Sequence, residues 1–74
     1  MRDEVERIKI GDRIEFAYTE IDEVSGALVE LWKLVEIIEF IGRAPSGDLM
    51  FNVRQQDGTI THESTARQWR WVRH

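Results

Sequence analysis

The sequence has no cysteine, a single proline and no uninterrupted apolar run of bilayer length, and each shortage removes a class of protein. Without cysteine there are no disulfide staples, thiolate zinc sites, iron-sulfur clusters or thiol nucleophiles, so the fold must hold by packing or by association. That usage points to a reducing compartment, and the expected location is the cytoplasm. The most apolar stretch, residues 27–41, is broken by Glu30, Lys33, Glu36 and Glu39, which a membrane-spanning helix would not accommodate. Five of the first seven residues are charged, without the apolar segment of a secretory signal, and their acids argue against a transit peptide. No repeat or low-complexity tract is present. A chain of 74 residues makes one small domain, 1–74, that buries about 60% of its unfolded surface, with 1–8 read as a flexible N-terminal segment.

The net charge of −4 disfavours a general polyanion binder, but the charge is unevenly placed. Residues 1–42 carry eleven acids and five bases, whereas residues 43–74 carry three acids and five bases. The last eight residues, Arg67-Gln68-Trp69-Arg70-Trp71-Val72-Arg73-His74, hold three arginines and no acid. Arginine outnumbers lysine eight to two, which suits planar and bidentate contacts.

Periodicity supplies the elements. Ile14, Phe16 and Tyr18 alternate with Arg13, Glu15, Ala17 and Thr19, the period-two pattern of a strand with one apolar face. Leu49, Phe51 and Val53 alternate likewise, and Asp57-Gly58 offers a two-residue type I′ turn into a returning strand, Thr59 to Glu63. That turn pairs Val53 with His62 and Gln55 with Ile60, which puts His62 at the rim of the apolar face and Glu63 on the other. The charges at 30, 33, 36 and 39 fit neither strand nor helix period. β-branched and aromatic residues across 27–41 favour a long strand bent by a bulge; Ser25 as N-cap and Gly42 past the end support a helix instead. Gly42 to Asp48 reads as a loop, Ser64 to Gln68 as one short turn of 3₁₀ type, and Trp69 to Val72 as a closing strand. The expected fold is all-β, a small five-stranded partly open barrel. The alternative is α+β, one helix at 27–41 packed on a three-stranded sheet.

The order of these elements across residues 9–73 resembles the small Src-homology-3-like barrels. Ile10-Gly11-Asp12-Arg13-Ile14, Leu34-Val35-Glu36-Ile37, Phe51-Asn52-Val53, Gly58-Thr59-Ile60-Thr61-His62 and the following Ala66 resemble the bacterial Tudor-like barrels, and also the plasmid-borne type II dihydrofolate reductases. The reductases line an active pore with a V-Q-I-Y strand; the matching Ile60-Thr61-His62-Glu63 has neither its glutamine nor its tyrosine, so that activity is not carried over. The Tudor-like resemblance implies a fold and a habit of binding without chemistry, and fold alone is a weak guide to function.

Catalytic and metal readings find little purchase. His62 and Glu63 are adjacent on a strand and point to opposite faces, which breaks a relay. Two histidines twelve apart do not make a zinc site, and the loop 42–47 lacks the Lys-Ser/Thr of a P-loop. No cofactor, metal or catalytic residue is expected. Tyr18, Trp32 and Phe51 could supply an aromatic cage for a cation, although Tyr18 and Phe51 also suit the core. Trp69 and Trp71 share one face of the closing strand and Arg70 the other; the indoles fill the core, or the segment Arg67, Trp69, Arg70, Trp71 and Arg73 forms an edge that binds a partner, a second copy or single-stranded nucleic acid. The expected function is a small, non-catalytic, self-associating binding or adaptor module. A nucleic-acid binder using the C-terminal segment, and an oligomeric enzyme with an inter-subunit site, are the alternatives.

Overall fold

The computed structural model describes residues 2–72. After a four-residue helix α1 (Arg2–Val5) come five strands, β1 (Arg13–Ile21), β2 (Leu28–Arg43), β3 (Leu49–Arg54), β4 (Ile60–Ser64) and β5 (Trp69–Trp71). They form one antiparallel sheet in the order β4-β3-β2-β1-β5, not closed into a barrel. Residues 28–41 are therefore strand rather than helix. Ile14 and Phe16 of β1, Val35 and Ile37 of β2, and Leu49, Phe51 and Val53 of β3 bury the alternating face that the sequence shows. Ile8 joins them from the N-terminal segment, and Val5, Tyr18, Trp69 and Trp71 pack around the edge.

The three-residue spacing of Glu36 and Glu39 in β2 has a geometric cause. The pairing of β2 with β3 slips twice, between Ile37 and Glu39 and between Phe40 and Gly42. Each slip inserts one unpaired residue and reverses which face the next side chain takes. Glu36 and Glu39 thus both face the outside, where they bind Arg54 (2.9 Å) and Asn52 (2.6 Å) of β3.

The β3–β4 hairpin turns where expected, but with a different register. Phe51 opposes Glu63 and Asn52 opposes His62, one residue away from the expected pairing. A type I′ turn needs a positive φ at both central residues, and Asp57 does not adopt one. Its carboxylate instead accepts the Thr59 N–H (2.9 Å), and the loop lengthens to Gln56-Asp57-Gly58, closed by Gln55 N–H to the Thr59 carbonyl. Gly58 takes the one left-handed conformation, φ 89°. This corrects the placement of His62, which is exposed on the outer face, and of Glu63, which is 9% exposed on the inner one. His62→Gln should accordingly change stability by no more than about 0.5 kcal/mol, as ordinary surface substitutions do, in a urea titration followed by circular dichroism.

Two features lie beyond the core. The turn of 3₁₀ type at 64–67 is closed by the Arg67 N–H to the Ser64 carbonyl. β1 and β2 continue past the ends of β5 and β3 as a two-stranded ribbon, with Ile21 paired to Leu28 near its tip and residues 21–31 all exposed.

Candidate functional site

The expected site residues fall into three places. Tyr18 and Arg67 meet on the concave face; Trp32 and Arg70 meet on the convex face; Trp69 and Trp71 lie on β5, against the core. Arg73 lies outside the described residues.

The concave cluster begins with Tyr18, one turn of the period-two pattern beyond Phe16 and at the edge of the core. Its hydroxyl donates to Glu63 Oε2 (2.7 Å) and accepts from Gln55 Nε2 (3.1 Å). Gln55 also donates to Thr61 Oγ1 (3.0 Å). Arg67, four residues after Glu63 in the turn, donates from Nε to Glu63 Oε1 (3.0 Å) and from Nη1 to the Ala17 carbonyl (3.1 Å). The buried carboxylate therefore has a partner on each oxygen, one of them a cation, which is what makes its burial tolerable. The Arg67 guanidinium also lies 4.5 Å from the Tyr18 ring centre, and Lys33 Nζ 5.3 Å from it, held by Glu20 (2.7 Å).

A groove of about 460 Å³ opens over this cluster between the ribbon and the β3–β4 loop. Tyr18, Lys33, Gln55, Thr59, Thr61 and Glu63 line it, with Gln56 and Asp57 at its rim. The aromatic cage suggested by Tyr18, Trp32 and Phe51 does not assemble. Phe51 is buried in the core, Trp32 lies beside Ala17 on the opposite face, and the Tyr18 ring is already taken by two cations of the same chain.

On the convex face Arg70 donates from Nε to Glu15 Oε1 (2.8 Å), and its guanidinium carbon sits 3.9 Å from the Trp32 ring centre. Cross-strand neighbours explain both contacts, since Glu15 opposes Arg70 and Ala17, next on that face, opposes Trp32. Trp69 and Trp71 contact each other edge to face, 5.3 Å between ring centres at 82°. Both the arginines described in the C-terminal segment are thus already partnered within the chain.

Burial, and next the Glu63 carboxylate against its hydroxyl, raise the pKa of Tyr18 above its ordinary 10.0. A raised folded-state value stabilises the fold below the unfolded pKa, and the contribution is lost as pH rises through the folded one. Stability should therefore fall in the alkaline range above pH 10.0, and Tyr18→Phe should flatten that limb when unfolding midpoints are compared across pH.

Glu63, Gln55 and Lys33 were not singled out by sequence reasoning. A signal for Glu63 existed in the spacing Glu63 to Arg67 across a turn, but the assumed two-residue loop aimed that carboxylate at solvent. Compared with family models, with curated proteins and with solved structures, the chain finds no match in any of the three.

Proposed function

We propose that this chain is a small, non-catalytic binding module that takes an extended polypeptide segment of a partner protein into the concave groove. The observation that carries this reading is the groove itself: an open channel of about 460 Å³, walled by polar residues and built on a fully partnered Tyr18–Glu63–Arg67 floor. A floor whose polar groups are satisfied within the chain holds its shape before a ligand arrives, so little ordering is needed on binding. The amides of Gln55 and Gln56 and the hydroxyls of Thr59 and Thr61 at its walls are short-range donors and acceptors of the kind that read a backbone. The strand order and the Gly-Asp entry to β1 agree with the Src-homology-3-like and Tudor-like resemblance, a group of binding folds, and the absence of cysteine suits an adaptor in the cytoplasm.

The nucleic-acid reading draws less support, because Arg67 and Arg70 spend their charge on Glu63 and Glu15. Titration of labelled protein with pooled peptides of mixed charge, followed by amide and indole NMR signals, separates the two. Shifts confined to the side-chain amides of Gln55 and Gln56 and the backbone of 57–61 would support the groove. Shifts centred on the indoles of Trp69 and Trp71, produced by oligonucleotide and not by peptide, would replace it.

A further inference from the structure

The ribbon leaves a stretch of the β2 edge open on the side where β3 would continue. Ile37 donates its N–H to the Asp12 carbonyl and accepts the Gly11 N–H, so its backbone groups point towards β1. The β1–β2 register runs without a slip from Glu36 to Leu28, and just beyond it Asp22 N–H donates to the Ala27 carbonyl, so the odd-numbered residues of this stretch face β1 throughout. Leu28, Glu30 and Trp32 therefore turn their N–H and C=O groups the other way. On that side β3 pairs only from Glu36 onward, and Gln55 and Gln56 of its loop lie with Leu34 and Val35 around one cavity. Among the described residues no strand lies beside Leu28 to Lys33. An open strand edge is a template for another strand.

We propose that a short basic segment of a partner protein adds here as a further strand, antiparallel to β2, in line with β3 and opposite Leu28 to Lys33. This rests on the peptide-binding reading above and specifies how the segment is held. Two cavities meet at the loop end of the open edge: about 460 Å³ on the concave face, with Lys33, and about 370 Å³ on the convex face, with Leu34. Gln55 and Gln56 line both. Successive side chains of a strand point to opposite faces of a sheet, so one extended chain along this edge addresses both cavities, which a helix lying on either face would not. The antiparallel direction continues the alternation of the sheet and gives the stronger ladder.

Charge and exposure say what the segment carries. Residues 20–32 hold four acids and no base, and among the described residues only Glu20 of the four has a cation partner, Lys33. A second ribbon of this chain would bring like charge to the edge; a basic segment brings the opposite sign. Directly opposed residues share a face, so the residue opposite Glu30 stands on the convex side, where the β1 neighbour Thr19 offers no charge, and lysine or arginine answers the carboxylate. Leu31 (39% exposed) and Val29 (38%) lie on the concave side with Tyr18, and β-branched apolar residues opposite them would cover both. The residue opposite Lys33 reaches the groove beside Gln55, Thr59 and Thr61, where a neutral hydrogen-bonding side chain fits.

The probe is the acetylated, amidated hexapeptide Thr-Thr-Val-Lys-Val-Thr, whose residues run along the edge from Lys33 to Leu28. With about nine-tenths of the protein bound, the N–H groups of Leu28, Glu30 and Trp32 should exchange with solvent about tenfold more slowly, while Val29, Leu31 and Lys33, already bonded to β1, change less. A backbone N-methyl group on the lysine, whose N–H faces β2 in this register, should weaken binding at least about tenfold; on the valine before it, whose N–H faces solvent, less than about twofold. Glu30→Lys, checked for folding by circular dichroism, should weaken binding about fivefold, and a peptide with glutamate in place of lysine should restore it. Shifts at the Gln55 and Gln56 side-chain amides without slowed exchange at the three edge N–H groups would overturn strand addition and leave the groove reading standing. Failure of the probe to bind would overturn it too, and the pooled peptides then judge the groove alone. Slow exchange at those three groups in the free protein, growing with its concentration, would place a second copy on the edge and overturn it as well.

Discussion

Replacing Phe16 with alanine should remove about 3 to 5 kcal/mol of stability, the cost of deleting a buried aromatic ring and leaving its cavity. Phe16 is fully buried, with Lys33 opposite on β2 and Trp69 opposite on β5, so its ring ties the middle of the sheet to the closing strand. A 74-residue domain has about 4 to 11 kcal/mol in total. The variant should therefore be largely unfolded, or unfold at a small fraction of the parental urea midpoint, by circular dichroism. A loss below about 1 kcal/mol would mean that this ring is not central to the interior.

The second large effect is expected at Glu63. Glu63→Ala removes the acceptor shared by Tyr18 and Arg67 and should cost about 2 to 3 kcal/mol, most of it from leaving the Tyr18 hydroxyl and the Arg67 fork short of a buried partner. Arg67 is 41% exposed and can turn to water, which keeps the figure at the lower end for a broken buried pair. A double-mutant cycle with Tyr18→Phe isolates the shared bond, and its coupling should be about 1 to 2 kcal/mol. Additive single effects would show that the hydroxyl and carboxylate do not stabilise each other.

Much of this was legible in the sequence, for reasons that differ by element. Period-two alternation in β1 and β3 follows from burial of one face, and the core residues Ile14, Phe16, Phe51 and Val53 were visible as such. β2 was harder because its two slips scramble the face pattern, and what rescued it was the density of β-branched side chains. The hairpin was located correctly and mis-registered, because Asp57-Gly58 fits both a two-residue and a three-residue loop. The choice depends on whether the Asp57 carboxylate caps Thr59, a contact that spacing does not reveal. One residue of loop length then moved Glu63 from solvent to the interior and His62 the other way, so the sequence could not show the concave cluster. Trp32 was left open and proves to be a partner of Arg70, because the β1–β2 and β1–β5 registers together bring them over Ala17.

The strand order also fixes which contacts have to wait. β3 and β4 are joined by a three-residue loop and can zip as soon as the chain reverses there, while the β1–β5 pair joins Glu15 to Arg70, 55 positions apart, and rewards the chain only after that long loop has been closed. Two of the three tryptophans sit on β5, and the third, Trp32, gains the Arg70 guanidinium only when β5 docks. Indole emission in this protein is consequently a clock for the final step of folding. In stopped-flow refolding it should lag the far-ultraviolet signal of the β3–β4 and β1–β2 hairpins.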